Sequence, residues 1–463
     1  SNQAVNRTDE HSMLSYFGRI SYNYKGRYLA EANIRADGSS RFGADNRFGY
    51  FPSASAAWRF SDEAFADGLN FVTDGKLRIS VGQTGNEAIP NYVQGGEFAI
   101  GTNYLTYSGA SPTVMPNQAL KWEVTTQYNL GLDLAMFNSR VNFVADFYIK
   151  NTSDLLFAVP IPETTGFGYI TRNIGDISNK GMEFALNTHN IDREFQWSSS
   201  FNIGFNRNTV VDLPDEVLTN GYIKNGDYHI LKEGEPIGTF YGWKFLGVYA
   251  RDEDNVNQVK FGSTTGKPFI GGDPIWDDLN NDNVINDDDK QIIGDAQPIF
   301  AGGFSNDFSY KNFSLNLFLQ FCYGNDIYSH LNNMRNWVFS YNNVSTDALT
   351  RWRQQGDVTN YPAPVRNDPK RNEYLRVSDR WIEDGSYMRL KNVTFSYTIP
   401  KAITSRAGIS RLRAYVTGEN LLTFTHYTGY DPEVNSYSGL QVGVDEGAYP
   451  QSRTVVFGLN LEF

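Results

Sequence analysis

The feature that most constrains this chain is an alternation of apolar and polar side chains with a period of two, repeated over many short segments. It is clearest in residues 123–134, 141–149 and 314–321. Because successive side chains of a β-strand point to opposite faces, each segment is predicted to be a strand with one apolar and one polar face. Helical periodicity is scarce, so we expect an all-β protein: a sandwich, a propeller or a membrane barrel.

Connection lengths separate these three classes. Tight turns, such as those at Asn138-Ser139 and Lys311-Asn312, alternate with long polar stretches. The long stretches are 37–48, 85–121, 152–175, 251–297, 324–384 and 425–451. Outer-membrane barrels have short periplasmic turns and long external loops, whereas a sandwich shows turn signals every ~8–12 residues. The chain also lacks the repeat of about 40–50 residues that a propeller requires. The pattern therefore favours an antiparallel transmembrane β-barrel.

Counting the alternating segments predicts about fifteen strands. They are 14–24, 27–36, 49–61, 74–84, 122–136, 140–150, 176–189, 195–208, 226–233, 236–250, 298–309, 312–323, 385–399, 411–424 and 452–463. An odd number cannot close a single-chain barrel with both termini in the periplasm, so we expect residues 1–463 to be the C-terminal part of a larger barrel. The apolar final strand and its terminal Phe463 are typical of the signal that barrel-assembly machinery recognises.

Composition excludes other classes. No run approaches the ~18 apolar residues of a membrane helix, and the net charge of −12 disfavours nucleic acid as a partner. Cys322 is the only cysteine, which rules out an intrachain disulfide and a cysteine zinc cluster. The five histidines are scattered, and neither a GxSxG nor a P-loop motif is present. We therefore expect no enzymatic activity.

Several segments resemble one family in the order in which they occur. They are IGTFYG at 237–242, YGNDIY at 323–328, YMRLKNVT at 387–394, LRAYVTGENL at 412–421, GYDPE at 429–433 and the final YPQSRT…FGLNLEF. Together they resemble the SusC/RagA family of TonB-linked outer-membrane transporters, and the resemblance runs from about residue 15 to the end.

That resemblance implies a plugged barrel of about twenty-two strands, of which this chain holds the C-terminal ~15. The plug and the first strands would be supplied by an N-terminal portion, in the same protein or as a separate chain. It also implies import of oligosaccharides or peptides across the outer membrane, driven by TonB through the plug-bearing part, with a SusD-like surface lipoprotein as partner. A passive outer-membrane channel and a β-rich surface binding protein are the alternatives. No motif identifies the substrate-contacting residues; the loop aromatics Trp337, Phe339 and Tyr341 could stack on sugars or pack the loop itself.

The external loop predicted at 251–297 contains an acidic segment with the spacing of an EF-hand loop. Its candidate ligands are Asp278, Asn280, Asp282, the carbonyl of Val284, Asn286 and Asp289. A hard cation requires that many oxygens, so we expect a structural Ca²⁺ here. Asn283 stands where such loops have glycine, although asparagine tolerates the left-handed conformation, and Asp289 stands where they have glutamate. The alternative is a solvated acidic loop.

Overall fold

The computed structural model describes residues 9–100, 107, 109–215, 218, 220–336, 343–364, 376–405, 408–433 and 439–463. The chain divides into two compact units: one is 1–190 with 198–221, and the other is 191–197 with 222–463. In both units the regular secondary structure is almost entirely β-strand, which confirms the all-β antiparallel prediction. Within the described residues, every helix is too short or too polar to cross a membrane.

Strands are numbered along the chain. The first twelve are β1 Met13–Tyr24, β2 Tyr28–Ser39, β3 Phe48–Arg59, β4 Val72–Asn86, β5 Glu97–Ile100, β6 Ala110–Val114, β7 Glu123–Met136, β8 Val141–Ser153, β9 Leu156–Pro160, β10 Tyr169–Asn173, β11 Asp176–Asp192 and β12 Phe195–Asp212. The eight long ones follow the order β1-β2-β3-β4-β7-β8-β11-β12, so each lies beside the next long strand of the sequence. The short pairs β5–β6 and β9–β10 lie within the long connections.

The second unit contains the remaining strands. They are β13 Ile223–Asn225, β14 His229–Leu231, β15 Thr239–Gly242, β16 Phe245–Val248, β17 Lys260–Phe261, β18 Pro274–Trp276, β19 Val284–Ile285, β20 Gln291–Asp295, β21 Phe300–Tyr310, β22 Phe313–Tyr323, β23 Asp326–Ser329, β24 Ile382–Asp384, β25 Tyr387–Ile399, β26 Arg411–Thr425, β27 Val444–Asp445 and β28 Thr454–Glu462. Five long strands form an antiparallel run in the order β21-β22-β25-β26-β28.

Helical segments are short in both units. The α-helices are α1 His330–Arg335 and α2 Lys401–Thr404. The 3₁₀ turns are Ala44–Asn46, Phe60–Asp62, Ala64–Gly68, Glu163–Thr165, Asp252–Asp254, Asp287–Asp289, Thr346–Thr350 and Asp379–Trp381. All of them connect strands, as expected for a β-sheet protein.

Thirteen of the fifteen predicted strands are long strands of the structure, with ends within four residues of the predicted ones. The other two, 226–233 and 236–250, were predicted wrongly. They form the short strands β14, β15 and β16, and β13-β14-β15-β20 is a separate four-stranded sheet. The reason is packing: His229, Ile230 and Leu231 are all buried, so this segment has no solvent-facing or lipid-facing side. The connection after β12 therefore runs from 213 to 299.

Candidate functional site

The long strands of the first unit have two faces of opposite chemistry. One row of cross-strand neighbours is Tyr22, Ala30, Ala56, Ile79, Leu130, Phe147 and Met182. The adjacent row of cross-strand neighbours, on the opposite face, is Ser21, Glu31, Ser55, Ser80, Asn129, Tyr148 and Gly181. The first face is exposed although it is apolar; Ile79 is 55% exposed and Ile20 is 76% exposed. We call these the apolar face and the polar face.

The polar face contains a connected set of charges. The guanidinium of Arg78 donates to both carboxylate oxygens of Asp133 at 2.9 and 2.8 Å, and to Asp146 at 3.3 Å. The Lys76 ammonium lies 2.8 Å from Asp133. Gly131 makes room for this arrangement, because a Cβ there would lie 2.5 Å from the Arg78 guanidinium carbon. A sheet face lined with ion pairs suits contact with water or with another polar surface.

In the second unit, the connections 213–299, 324–386 and 426–453 fold against one another. We call their described residues from 222 onward the loop layer. Its first apolar cluster joins all three connections and comprises Tyr228, Phe240, Ala296, Tyr328, Trp381 and Val444. A second cluster lies within the first connection and comprises Trp243, Tyr249, Phe269, Trp276 and Ile285. The predicted long loops are therefore a packed structure with cores of their own.

One segment of the loop layer, 439–446, contacts the other two connections, and we call it the strap. The buried imidazole of His229 donates from Nε2 to the carbonyl of Val442 at 2.8 Å. The Asn225 side chain donates to the carbonyl of Leu440 at 2.9 Å. Val444 pairs with Tyr328 in a short parallel ladder. Burial lowers the pKa of His229 to about 4, so the ring is neutral near pH 7.

A buried charge cluster ties the third connection to β25. The Arg389 side chain is 2% exposed and donates to the carboxylates of Asp431 and Glu433. Lys391, two residues along the strand, donates to Glu433 at 2.9 Å. Asp431 also accepts the backbone N–H of Gln451 at 2.9 Å. The cluster therefore holds both described parts of the third connection, 426–433 and 439–453, against β25.

This charge cluster joins two motifs that sequence reasoning used only for the family resemblance. YMRLKNVT supplies Arg389 and Lys391, and GYDPE supplies Asp431 and Glu433. The signal that could have revealed it is the matched spacing: two cations two residues apart on a strand, and two carboxylates two residues apart in the next long connection. The contact itself, across 42 residues, is invisible to local periodicity.

The acidic segment folds as a tight turn within the loop layer. Asp278 accepts the backbone N–H groups of Asp282 at 3.2 Å and Asn283 at 2.8 Å. Asn283 has φ of 63°, which confirms that asparagine occupies the left-handed position of this turn. Asn280 Oδ1 accepts the N–H of Asp282 at 3.0 Å, which folds the middle of the turn.

The C-terminal half of the same segment closes on a buried carboxylate. Asp289 is fully buried and accepts the N–H groups of Leu279 at 3.0 Å and Asn286 at 2.7 Å. Burial raises the pKa of Asp289, and the nearby charges of Asp278 and Asp282 act in the same direction. The carbonyl-bearing Val284 is buried in β19.

The predicted metal ligands thus occupy one turn, with their side-chain oxygens hydrogen-bonded to its backbone. Within the described ranges, no group of three or more His, Cys, Asp or Glu side chains is arranged to hold a metal. The predicted set differs from such a group because it also depends on Asn280, Asn286 and a backbone carbonyl.

A cation–aromatic stack contacts the acidic turn through a hydrogen bond to its backbone. The ring of Trp243 has Lys290 Nζ 4.3 Å and the Arg376 guanidinium 4.1 Å from its centroid. The indole N–H of Trp243 donates to the carbonyl of Asn286 at 2.8 Å. Burial lowers the pKa of Arg376 to about 10, which leaves it charged at neutral pH. Sequence reasoning missed this stack, because its members are far apart along the chain.

Comparison with known proteins decides the family. The model of the family described as TonB dependent receptor-like, beta-barrel, matches residues 1–421. This chain belongs to that family. Its members are receptors and transporters of the outer membrane rather than enzymes, as the sequence predicted.

Relatives of this TonB-dependent receptor domain are similar over nearly all of it. It is 36% identical over 472 residues to TonB-dependent receptor P3 of Formosa agariphila, covering 98% of the chain and 46% of the relative. It is 33% identical over 466 residues to TonB-dependent receptor SusC of Bacteroides thetaiotaomicron, covering 98% and 44%. The chain therefore spans less than half the length of these relatives.

A solved structure shares the fold. The chain superposes on a structure described as the RagAB peptide transporter with a TM-score of 0.84 and 26% identity, covering 99% of this chain and 48% of that one. The predicted SusC/RagA resemblance is confirmed. The loop aromatics Trp337, Phe339 and Tyr341 lie outside the described residues.

Proposed function

We propose that this chain is the C-terminal part of a TonB-dependent importer of the outer membrane, with its long connections on the extracellular side. The observation that carries the proposal is the pairing of an exposed apolar face with a charged polar face on the same strands. An apolar face exposed on neighbouring strands suits lipid, and a polar face suits the lumen of a barrel. The likeness to the RagAB peptide transporter over 99% of the chain supports the same arrangement.

The proposed substrates are oligosaccharides or peptides, and the proposed partner is a SusD-like surface lipoprotein that covers the loop layer. The relatives support both: SusC is one, and a peptide transporter is another. A packed loop layer provides a rigid platform for such a partner. The remainder of the protein would supply the plug and the contact with TonB, since this chain spans less than half of its relatives.

The test is uptake by the full-length transporter in its native outer membrane. Cells with and without TonB should be given labelled oligosaccharides and peptides, with a strain lacking the lipoprotein alongside. We expect uptake of one substrate class that is lost without TonB. Uptake that is independent of TonB, together with a steady conductance in planar bilayers, would favour a passive channel instead. A chain that stays soluble without detergent would favour a surface binding protein.

We further propose that residues 278–289 bind one structural Ca²⁺ through Asp278, Asn280, Asp282, Val284, Asn286 and Asp289. The repulsion among Asp278, Asp282 and Asp289 supports this, because a cation between them would offset it. Extracellular calcium is commonly high, so an affinity of ~10⁻⁴–10⁻³ M would suffice for occupancy.

Calorimetry with CaCl₂ on the purified full-length protein tests this site. The double variant Asp278→Asn/Asp282→Asn should lose calcium binding. Asp287→Asn is the matched control, because Asp287 lies in the same acidic run but is 80% exposed and pairs with Lys290. Equal heats for wild type and the double variant would contradict the site.

A further inference from the structure

The apolar face of the first unit ends at the same height on three neighbouring strands. Tyr128, Ile149 and Lys180 are cross-strand neighbours, and they are the last large side chains of this face towards the long connections. The next row is Thr126, Asn151 and Ser178, all polar. Lys180 therefore lies at the border between an apolar band and a polar band.

A second cation reaches the same border from β12. The rings of Phe184 and Phe205 are 6.5 Å apart, which places Phe205 on the apolar face beside β11. The period of two then places Arg207, Thr209 and Val211 on that face. Arg207 thus occupies the first position beyond the apolar band on its strand, as Lys180 does on β11.

Both cations line one cavity of about 790 Å³ at this border. Its lining combines the two cations with hydroxyl and amide groups, among them Thr126, Asn151 and Ser178, and with the apolar side chains of Tyr128 and Ile149. Every lining residue except Thr152 and Ile177 is at a strand position that points to the apolar face, so the cavity opens on that face. Ser178 donates to Asn151 at 2.9 Å, which orders the polar row behind the cations.

The two cations have no anionic partner in the described part of the chain. Among the described residues, neither Lys180 nor Arg207 forms an ion pair with a carboxylate, and this includes Asp176 at the rim of the cavity. Other cations of these strands are paired: Lys76 and Arg78, on the polar face, both contact Asp133. A pair of unmatched cations above an apolar band, in a cavity with hydroxyl and amide donors, is complementary to a phosphate group that carries acyl chains.

We propose that this cavity binds the phosphate-bearing headgroup of an outer-leaflet lipid, with Lys180 and Arg207 on the phosphate and the acyl chains along the apolar face. Basic pockets beside membrane-spanning segments bind anionic headgroups in this way. The inference rests on the proposed function in two respects, namely that the apolar face contacts lipid and that the long connections mark the extracellular side. Free phosphate would satisfy the cations but not the apolar floor formed by Tyr128 and Ile149.

The test measures lipid binding to the full-length transporter in nanodiscs of phosphatidylcholine. Native mass spectrometry should detect titrated monophosphoryl lipid A on the wild type. For Lys180→Gln/Arg207→Gln we expect binding at least about tenfold weaker, since each cation near a membrane surface adds roughly a factor of five. Inorganic phosphate at millimolar concentration should compete poorly with the lipid.

Lys150→Gln is the matched control. Lys150 follows Ile149 directly, but it is on the polar face, opposite Asn179, with its ammonium 4.9 Å from the Tyr148 ring centroid. Its substitution should leave lipid binding unchanged. Heat-modifiable migration of each variant shows that the barrel is intact. Equal lipid binding by wild type and the double variant would overturn the proposal, as would displacement of the lipid by phosphate alone.

Substrate uptake separates this inference from the proposed function. The double variant should import normally once it is folded in the outer membrane, because both cations lie on the face opposite the polar one. If the wild type imports nothing but binds lipid, and the double variant does not bind lipid, the proposed function fails and the lipid site stands. If uptake is intact and lipid binding is indifferent to the cations, the lipid site fails alone.

Discussion

The long strands and the loop layer follow opposite rules of burial within one chain. On the strands, Ile20 and Phe457 are 76% and 80% exposed, while charges such as Asp133 are partly covered on the other face. In the loop layer, Phe240 and Val444 are fully buried, as in a water-soluble domain. The difference teaches that each region is adapted to its own solvent, so a substitution should be judged against the surroundings of its region.

The largest expected effect is at the buried charges that join β25 to the loop layer. Arg389→Ala leaves the buried carboxylate of Asp431 without its cation, and breaking a buried ion pair in this way costs about 3–5 kcal/mol. We expect the third connection to open. Hydrogen exchange and limited proteolysis of 426–453 would measure it.

The control for that prediction is Arg411→Ala. Arg411 pairs with Glu462 at 3.5 Å, but both side chains are more than half exposed, and exposed pairs contribute about 0–1 kcal/mol. Similar protection of 426–453 in Arg389→Ala and in wild type would show that the charge cluster does not hold the loop layer.

A second prediction tests the two strand faces. Ile79→Arg places a charge in the middle of the apolar face, where such residues cost about 2–4 kcal/mol in a bilayer. Ser80→Arg, one residue further, places the same charge on the polar face and should cost far less. Urea titration of folding into lipid vesicles would compare them. An equal loss in both variants would mean that the apolar face does not contact lipid.

A third prediction concerns pH and the strap. The pKa of His229 is about 4 in the folded protein and near 6.5 when the ring is exposed, so only the unfolded form takes up a proton between those values. The contribution of His229 to the free energy of unfolding is therefore fully present above pH 6.5. It declines as the pH falls towards 4, by at most about 3 kcal/mol. Strand contacts lack this dependence on His229.

Thermal unfolding of the loop layer from pH 7 to pH 4 checks the third prediction, with His229→Gln as the comparison. The variant keeps a donor for the Val442 carbonyl but does not titrate. We expect a shallower decline of the melting temperature in the variant than in wild type. Parallel curves would show that another group sets the acid sensitivity of the strap.

The sequence predicts the strands far better than the loop layer, and the reason is the difference in burial between the two regions. Alternation marks a strand whose two faces meet different surroundings, so the pairs around Ile79 and Ser80 were predictable. In β14 both faces are buried, so the alternation vanishes and strand 226–233 was assigned to the barrel wrongly. The acidic turn was recognisable because all its residues are local. Arg389 and Asp431 were not paired in advance, since their contact depends on how the connections pack.

The strap has a consequence for the order of biogenesis. Its anchors Asn225 and His229 precede Leu440 and Val442 by 215 and 213 residues, so these contacts form only after almost all of the second unit has been synthesised. Contacts so distant along the chain form slowly. Until then the aromatic cluster around Phe240 lacks Val444, and the unfinished chain exposes apolar surface. The strap is thus the last segment to join the loop layer, and it completes the packing of the segments that precede it in the chain.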